Sequence, residues 1–294
     1  MHGGFVRVSA PFYGLVGPSA GIIRVMIKVV FDMDGVLYRG KETLPGGADC
    51  VRELGRMGVR TGFLTNNSAR TREKYVEILA GHGIEAAAGE IMTSGDATIR
   101  YFALKGIAGR KVYLVGEAGL HETLLKAGFE VDICDEGDRC ELVVVGWDRK
   151  FTFAKIARAQ REIMVNGADL VATNADPTFP AAGGRILPGA GSMLAAIETA
   201  SGRKAEVIGK PRTTSLKFLL ADLGHDDDDP RKVWVVGDRL ETDIACGRAY
   251  GAVTVLVTTG IADRSSAELA SPEMRPDFII DSLSELPDLV KSGI

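Results

Sequence analysis

Short apolar runs recur along the chain and predict buried strands. They lie at residues 27–31, 60–64, 111–115, 141–145, 169–172, 232–236 and 253–257. Most are rich in β-branched residues and end at a glycine or a polar residue, as strands of a parallel sheet covered on both faces do. Helical patterns lie between them, near residues 47–57, 71–83, 120–127, 153–165, 190–200, 213–222 and 241–250. This alternation predicts an α/β fold with a doubly wound, Rossmann-like parallel sheet.

The polar residues that follow the strands predict how the chain is divided. Such sheets bind ligands at the carboxyl ends of their strands. Three strands lead into "DMDG", "TNNS" and "GDRLETD", whereas the strands at 111–115 and 141–145 lead into "GEAG" and "GWDRKF". We therefore expect residues 26–92 and 184–294 to form a catalytic core and residues 93–183 to form an inserted α/β domain. Residues 1–25 are interpreted as a leader outside this core, with Met26 as an alternative start.

Composition narrows the class of partner. The chain has 294 residues, 46% of them hydrophobic, and a net charge of −4. This length suggests two domains at about 150 residues each, and the charge balance offers no basic field for nucleic acid. No apolar run reaches the roughly 18 residues of a membrane span. Four cysteines without CxxC spacing favour a reducing cytoplasm. A small phosphorylated substrate is still allowed, because one site needs only a few local cations.

The first strand is followed by a pair of acids, Asp32 and Asp34. Residues at i and i+2 of a strand point to the same side, so both carboxylates can face one cleft. Two close carboxylates do not both stay ionised cheaply without a cation. The pair therefore indicates either a bound metal or a protonated acid, and a solvated turn is the alternative.

Three other strand ends carry candidate site residues. Thr65, Asn66 and Asn67 follow the second strand, where a hydroxyl and free amides can hold an anion, although an ordinary Asx turn fits as well. Lys210 in "VIGKPR" could neutralise a phosphate or be a surface charge. Asp238 and Asp243 in "GDRLETD" suit a magnesium ligand and a group that supports it. Together with the acids of "DMDG" they are oxygen donors of the kind that Mg²⁺ prefers.

These motifs together resemble a known family. "DMDGVLYRG", "TNNS", "GKP" and "GDRLETD", in this order, resemble the four motifs of the haloacid dehalogenase superfamily of phosphohydrolases. The stretches "TNNSARTREKY", "ATNADPTFP", "PGAGSMLAAIE" and "VIGKP" are similar to the branch that contains NagD, the para-nitrophenyl phosphatases and phosphoglycolate phosphatase. The resemblance runs from about residue 27 to 290.

The resemblance implies a role for each motif residue. Asp32 would attack phosphorus and become an aspartyl phosphate, and Asp34 would protonate the leaving alcohol and then activate water. The strand end that holds Thr65, Asn66 and Asn67 would bind the phosphoryl oxygens, with Lys210 steadying nucleophile and phosphate.

The same resemblance implies a cofactor. Mg²⁺ would be held by Asp32, by the backbone carbonyl of Asp34 and by Asp238. Asp243 would act through water or orient a ligand. The expected activity is Mg²⁺-dependent hydrolysis of small phosphate monoesters, such as sugar, glycerol, glycolate or nucleotide phosphates.

The inserted domain resembles the cap of this branch. A cap over the site favours a small phosphorylated metabolite as substrate. Its substrate-facing loop would match residues 146–153, which makes Arg149 and Lys150 candidates for contacting the substrate, with solvated loop charges as the alternative. Pairing of two copies through the cap is a further expectation from the resemblance.

Other function classes stay open at this point. A phosphotransferase or mutase would use the same intermediate, and a non-catalytic sensor of phosphorylated ligands could keep the fold. A dinucleotide-binding enzyme would need GxGxxG after the first strand, where this chain has "DMDG".

Overall fold

The computed structural model describes residues 27–180, 185–224 and 229–292. The proposed leader at 1–25 lies outside the described residues. The strands are β1 (Lys28–Phe31), β2 (Tyr38–Arg39), β3 (Glu42–Thr43), β4 (Arg60–Thr65), β5 (Ile91–Thr93), β6 (Lys111–Val115), β7 (Glu130–Asp132), β8 (Leu142–Val145), β9 (Asp169–Ala172), β10 (Thr178–Pro180), β11 (Ile186–Pro188), β12 (Glu206–Val207), β13 (Val233–Gly237), β14 (Val253–Val257) and β15 (Phe278–Ile280).

The helices between the strands follow the predicted positions, with additions at three places. They are α1 (Gly47–Arg56), α2 (Arg72–Gly81), α3 (Ser94–Leu104), α4 (Ala118–Lys126), α5 (Phe153–Met164), α6 (Ala190–Ser201), α7 (Thr214–Asp222), α8 (Ala245–Tyr250), α9 (Arg264–Glu268) and α10 (Leu286–Ser292). Helix α2 begins at the predicted cap, where the Thr71 side chain accepts a hydrogen bond from the Lys74 amide.

Two parallel sheets confirm the predicted α/β class. The first has the order β15-β14-β13-β1-β4-β5 and the second the order β12-β9-β8-β6-β7. All neighbouring strands within both sheets are parallel. Their central strands are fully buried, because helices cover both faces. Two short antiparallel hairpins, β2–β3 and β10–β11, lie outside the sheets.

The second sheet extends further along the chain than the expected boundary at residue 183. Helix α6 packs Met193, Leu194 and Ile197 against the buried residues of this sheet. Strand β12 then pairs with β9 and forms its edge. The boundary is therefore corrected to about residue 207, because α6 and β12 bury their apolar side chains in the second unit. At the other boundary, β5 still belongs to the first sheet.

The described residues contain no helix long and apolar enough to cross a membrane. Each of the four cysteines is a free thiol, and three of them are buried. None of these thiols lies in the cleft described below.

Candidate active site

The register of the first sheet brings three strand ends to one edge. Phe31, the last residue of β1, pairs with Val236 on one side and Phe63 on the other. The Asp32 amide then donates to the Val236 carbonyl at 2.8 Å. Because the strands are parallel, the residues that follow β1, β4 and β13 emerge together. The candidate residues in "DMDG", "TNNS" and "GDRLETD" therefore lie close together in space.

Lys210 lies at the centre of this meeting point. Its Nζ atom donates to Asp32 Oδ1 at 2.6 Å, to Asp243 Oδ1 at 2.6 Å and to the Leu64 carbonyl at 3.2 Å. Burial opposes its charge, but the carboxylates of Asp243 and Asp32 outweigh burial and raise the pKa of Lys210. Lys210 is thus a buried, charged ammonium whose three protons are all donated, and not a surface lysine.

Three carboxylates surround this ammonium. One oxygen from each of Asp32, Asp238 and Asp243 lies within 4.8 Å of the others. Burial, together with the neighbouring acids, raises the pKa of Asp32 and of Asp238. A single lysine does not balance three buried carboxylates, so with all three ionised the cluster would carry excess negative charge, which either protons or a cation must offset. A bound cation would compensate this negative charge.

Asp238 has the most suitable oxygen for that cation. Its Oδ2 atom accepts a hydrogen bond from the Ile261 amide at 2.9 Å. Its Oδ1 atom is buried and has no hydrogen-bond partner among the described residues. A buried, unpartnered carboxylate oxygen in a cluster of three acids fits a hard divalent cation such as Mg²⁺. The donor set of Asp32 and Asp238 therefore fits the metal that the motifs imply.

Asp243 is already fully engaged by protein groups. Its Oδ1 atom accepts from Lys210, and its Oδ2 atom accepts from the Arg239 amide at 3.1 Å. The residue lies on a short π-helical turn, Leu240–Ile244, that leads into α8. This geometry suits a group that orients Lys210 and supports a metal site better than a direct ligand.

Glycines make room for the two acids of this motif. A Cβ atom on Gly260 would lie 1.9 Å from Asp238 Oδ2, and one on Gly237 would lie 2.1 Å from the Asp243 Cβ atom. Contacts this short do not occur between real atoms, so any larger residue would displace the carboxylates. The positions of Asp238 and Asp243 therefore depend on two glycines that are not among the residues lining the cleft.

Asp34 lies beside the cluster and lines the same cleft. Burial raises its pKa to about 6, although Arg70, Lys210 and Arg239 act in the opposite direction. A carboxyl group with this pKa can hold a proton and release it near neutral pH. These are the properties of a general acid that later acts as a base.

The residues after β4 serve partly as a turn. The Asn67 amide donates to Thr65 Oγ1 at 3.1 Å, and Asn67 Oδ1 accepts from the Ala69 amide at 2.9 Å. The Asn66 side chain instead accepts from the Lys210 amide at 2.8 Å. Thr65, the last residue of β4, and the following Asn66 and Asn67 all line the cleft. The Asx turn considered as an alternative is therefore present, and it shapes the cleft floor.

The candidate cap cations do not lie in the cleft lining. The Arg149 guanidinium contacts both carboxylate oxygens of Glu117, at 2.5 and 2.6 Å, and its side chain is 64% exposed. Lys150 is also exposed. Neither residue is among those that line the cleft, whereas Trp147, two positions before Arg149, is. The structure therefore favours the alternative of loop charges, because Glu117 neutralises Arg149 outside the cleft.

The second unit supplies residues that the motifs did not identify. They line the cleft above the carboxylates and include Trp147, Asn174, Asp176, Thr178, Phe179, Pro180, Gly189 and Ala190. The cleft also contains Arg239 and Thr242 from the turn after β13, and its volume, including the open mouth, is about 530 Å³. Asn174 and Asp176 follow strand β9, so the rule that ligands bind at strand ends would have found them if applied to the second sheet.

Two aromatic side chains form one wall of the cleft. Trp147 and Phe179 stack with ring centroids 4.3 Å apart. The indole Nε1 atom of Trp147 donates to the Pro188 carbonyl at 2.9 Å, which fixes the ring. Arg239 reaches the same region and donates to the Thr178 carbonyl at 3.1 Å. The upper cleft thus has an aromatic wall beside the polar side chains of Asn174, Asp176 and Thr178, and Arg239 of the first unit is a cation within it.

Comparison with known proteins agrees with this geometry. The sequence profile of haloacid dehalogenase-like hydrolases matches residues 29–130, and a second HAD-like hydrolase profile matches residues 207–286. Chronophin from Rattus norvegicus is 35% identical over 269 residues, which covers 88% of this chain and 86% of that protein.

Two solved structures share the fold. The p-nitrophenyl phosphatase from Archaeoglobus fulgidus has a TM-score of 0.79 and 34% identity, and the match covers 90% of this chain and 99% of that one. A glycerol phosphate phosphatase from Mycobacterium tuberculosis in complex with magnesium has a TM-score of 0.78 and 32% identity, covering 89% and 76% of the two chains. With its sequence profiles, its relatives and its clustered carboxylates in agreement, the chain belongs to the haloacid dehalogenase superfamily, as a phosphoric monoester hydrolase of the branch that contains NagD and the para-nitrophenyl phosphatases.

Proposed function

We propose that the protein is a Mg²⁺-dependent phosphatase that hydrolyses small phosphate monoesters through a phosphorylated Asp32. The observation that carries the proposal is the position of Lys210, which touches Asp32 and Asp243 in a buried carboxylate cluster. A binding protein has no need for a buried nucleophile paired with an acid of raised pKa. A phosphatase needs both.

Asp32 is the nucleophile in this account. A carboxylate oxygen of Asp32 forms a bond to phosphorus as the bond from phosphorus to the leaving oxygen breaks. Attack by one anion on another is repulsive, and the ammonium 2.6 Å from Asp32 Oδ1 offsets part of that charge. Thr65 and Asn66 line the cleft, where the Thr65 hydroxyl and the Asn66 amide would donate to the phosphoryl oxygens.

Asp34 acts first as a general acid and then as a general base. In its acid form, which a pKa of about 6 makes accessible, it donates a proton to the departing alkoxide. As a carboxylate it then takes a proton from the water that attacks the phosphorylated Asp32, and Asp32 is released with inorganic phosphate. The net reaction consumes one water and yields an alcohol and phosphate.

Asp32 and Asp238 would hold the metal ion, with the Asp34 carbonyl as a further candidate. When bound, Mg²⁺ would neutralise negative charge on the carboxylates and on the substrate phosphate. Support comes from the unpartnered Oδ1 atom of Asp238 and from the relative solved in complex with magnesium.

The cleft limits the leaving group. Among the described residues that line the cleft, the second unit contributes the aromatic Trp147 and Phe179, the acidic Asp176 and no cation, so a compact alcohol or a flat ring fits better than a multiply anionic leaving group. Glycerol phosphate and p-nitrophenyl phosphate, which the names of two relatives contain, are both of this size. We therefore propose small monoesters with uncharged leaving groups as the substrates.

The test compares wild-type protein with Asp32→Asn on p-nitrophenyl phosphate and on a panel of small phosphate monoesters with Mg²⁺. Wild-type protein should release phosphate, and Asp32→Asn should lose activity by at least about 10³-fold. Asp49→Asn, which changes an exposed carboxylate in α1, is the matched control. Activity of Asp32→Asn equal to that of the control would refute the mechanism.

A further inference from the structure

Lys210 lies at a junction between the two sheets. Strand β12 pairs with β9, and the ladder continues beyond it, since the Ile208 amide donates to the Ala172 carbonyl at 3.0 Å and the Gly209 amide to the Thr173 carbonyl at 2.8 Å. Lys210 is the next residue. Its backbone lies in the turn that follows β12, which the Arg212 amide closes by donating to the Gly209 carbonyl at 3.1 Å, while its ammonium reaches the carboxylates at the strand ends of the first sheet.

The Asn66 side chain forms hydrogen bonds with the backbone of Lys210. Its Oδ1 atom accepts from the Lys210 amide at 2.8 Å, and its Nδ2 atom donates to the Lys210 carbonyl at 3.0 Å. A primary amide that accepts and donates in this way replaces the peptide group of a neighbouring strand. Asn66 and Lys210 are only 6% and 3% exposed, so water does not compete for these bonds.

The residue before Lys210, Gly209, is also closely packed against Asn66. A Cβ atom on Gly209 would lie 2.5 Å from Asn66 Oδ1 and 2.6 Å from the Thr173 carbonyl oxygen. Glycine is therefore needed just before Lys210 for the chain to pass between β9 and Asn66. This gives a physical reason for the glycine of the "GKP" motif.

Asn66 also contacts the loop that follows β9. Its Nδ2 atom donates to Asp176 Oδ1 at 2.9 Å, and its backbone carbonyl accepts from Asn174 Nδ2 at 2.7 Å. The same carbonyl accepts from Ser94 Oγ at 2.6 Å. Asn66 therefore connects Asn174 and Asp176 of the second unit with the backbone amide and carbonyl of Lys210.

We propose that Asn66 is a positioning residue that holds Lys210 against Asp32, and that the loop of Asn174 and Asp176 sets the position of the lysine through Asn66. The inference rests on the proposed function, because it gives Lys210 its catalytic task. It adds to that function a second task for the cap: besides covering the substrate, the cap helps to place a catalytic group of the core.

We expect loss of the Asn66 side chain to lower kcat strongly, because Lys210 Nζ must lie within hydrogen-bond distance of Asp32. Displacement of a catalytic group by about 1 Å can cost about 10²-fold in rate. The Asn66→Ala substitution removes both bonds to the Lys210 peptide and the bond to Asp176. We expect kcat to fall by about 10²-fold with KM changed by less than about threefold, since the ground-state contacts to the substrate are mostly kept.

A double-mutant cycle tests the path from the second unit. Asp176→Ala should lower kcat by about tenfold in the wild-type background and by less than about twofold in the Asn66→Ala background. A direct role of Asp176 in substrate binding would instead give the same loss in both backgrounds, and this result would overturn the path through Asn66. Asn166→Ala removes an amide bond to Glu162 far from the cleft and serves as the matched control.

Crystal structures provide a readout that does not depend on activity. In folded Asn66→Ala protein, Lys210 Nζ should lie beyond hydrogen-bond reach of Asp32 Oδ1, at more than about 3.5 Å. Retention of the wild-type contact, or wild-type kcat in this variant, would refute the inference. If wild-type protein hydrolyses no phosphate monoester, the proposed function fails, and the structural result still decides the role of Asn66.

Discussion

Lys210 Nζ lies 2.6 Å from Asp32 Oδ1, although the two residues are 178 positions apart in the sequence. This contact joins the end of the first strand to a residue that follows the last strand of the second sheet. The side chains of Lys210 and Asp32 are 4% and 12% exposed, so their attraction is weakly screened by water.

Replacement of this lysine tests its electrostatic role. Lys210→Met keeps the length of the side chain and removes the charge, which leaves the carboxylates of Asp32 and Asp243 uncompensated. We expect kcat for p-nitrophenyl phosphate to fall by about 10²–10³-fold, as for loss of one preorganised donor. Lys217→Met, which changes an exposed lysine of α7, should keep wild-type kcat. Equal activity of the two variants would contradict the role assigned to Lys210.

Gly260 tests whether the position of Asp238 controls the metal site. Since a Cβ atom would lie 1.9 Å from Asp238 Oδ2, Gly260→Ala should displace this carboxylate. We expect the Mg²⁺ concentration for half-maximal activity to rise by about 10–100-fold, as for other changes that disturb ligand orientation. Gly55→Ala is the control, because nothing lies within 4 Å of its added Cβ atom. An unchanged Mg²⁺ requirement in Gly260→Ala would argue against this metal site.

Metal binding should also stabilise the folded protein. Mg²⁺ at about 100 times its dissociation constant adds about 2.7 kcal/mol if it binds only the folded state. We expect the Tm to rise by about 5 °C for a chain of this size. Differential scanning calorimetry with Mg²⁺ and with EDTA measures the shift, which Asp238→Asn should largely abolish. A shift of equal size in Asp238→Asn would place the ion elsewhere.

The aromatic wall should control the choice of leaving group. Phe179→Ala removes the ring that stacks on Trp147, so contacts to a flat leaving group are lost. We expect kcat/KM for p-nitrophenyl phosphate to fall by about tenfold and kcat/KM for glycerol 3-phosphate by less than about threefold. Phe153→Ala, which changes an exposed ring of α5, is the control. Equal losses for both substrates would show that Phe179 supports the fold and not the leaving group.

The sequence was most informative about the long apolar strands and the acids that follow them. Strands β1, β13 and β14 are buried along their whole length, and β4 is buried over its last four residues, so each contains an apolar run that the sequence shows. Because parallel strands end at one edge, their polar successors could be assigned to one site. The predicted cluster of Asp32, Asp238 and Asp243 follows from that rule.

The sequence was least informative about the bounds of the second unit and about side-chain partners, because both depend on tertiary packing. Strand β12 has only two residues, and such a short strand has no periodic signal. The apolar stripe of α6 would look the same against either sheet, so the end of the inserted unit was placed too early. The charge of Arg149 suggested substrate binding, but its partner Glu117 lies 32 positions away and is known only from the fold. Sequence likewise assigned Asn66 to the phosphate and did not reveal its contact with Lys210.

The most direct test of the central claim is a pre-steady-state measurement with Asp34→Asn and p-nitrophenyl phosphate. Nitrophenolate leaves without help from an acid, whereas hydrolysis of the phosphorylated enzyme needs the base, so the intermediate should accumulate. The account predicts a burst of about one equivalent of nitrophenolate, followed by slow turnover, with acid-quenched protein carrying one phosphoryl group on Asp32 by mass spectrometry. A variant that turns over without a burst and without phosphoryl on Asp32 would contradict it.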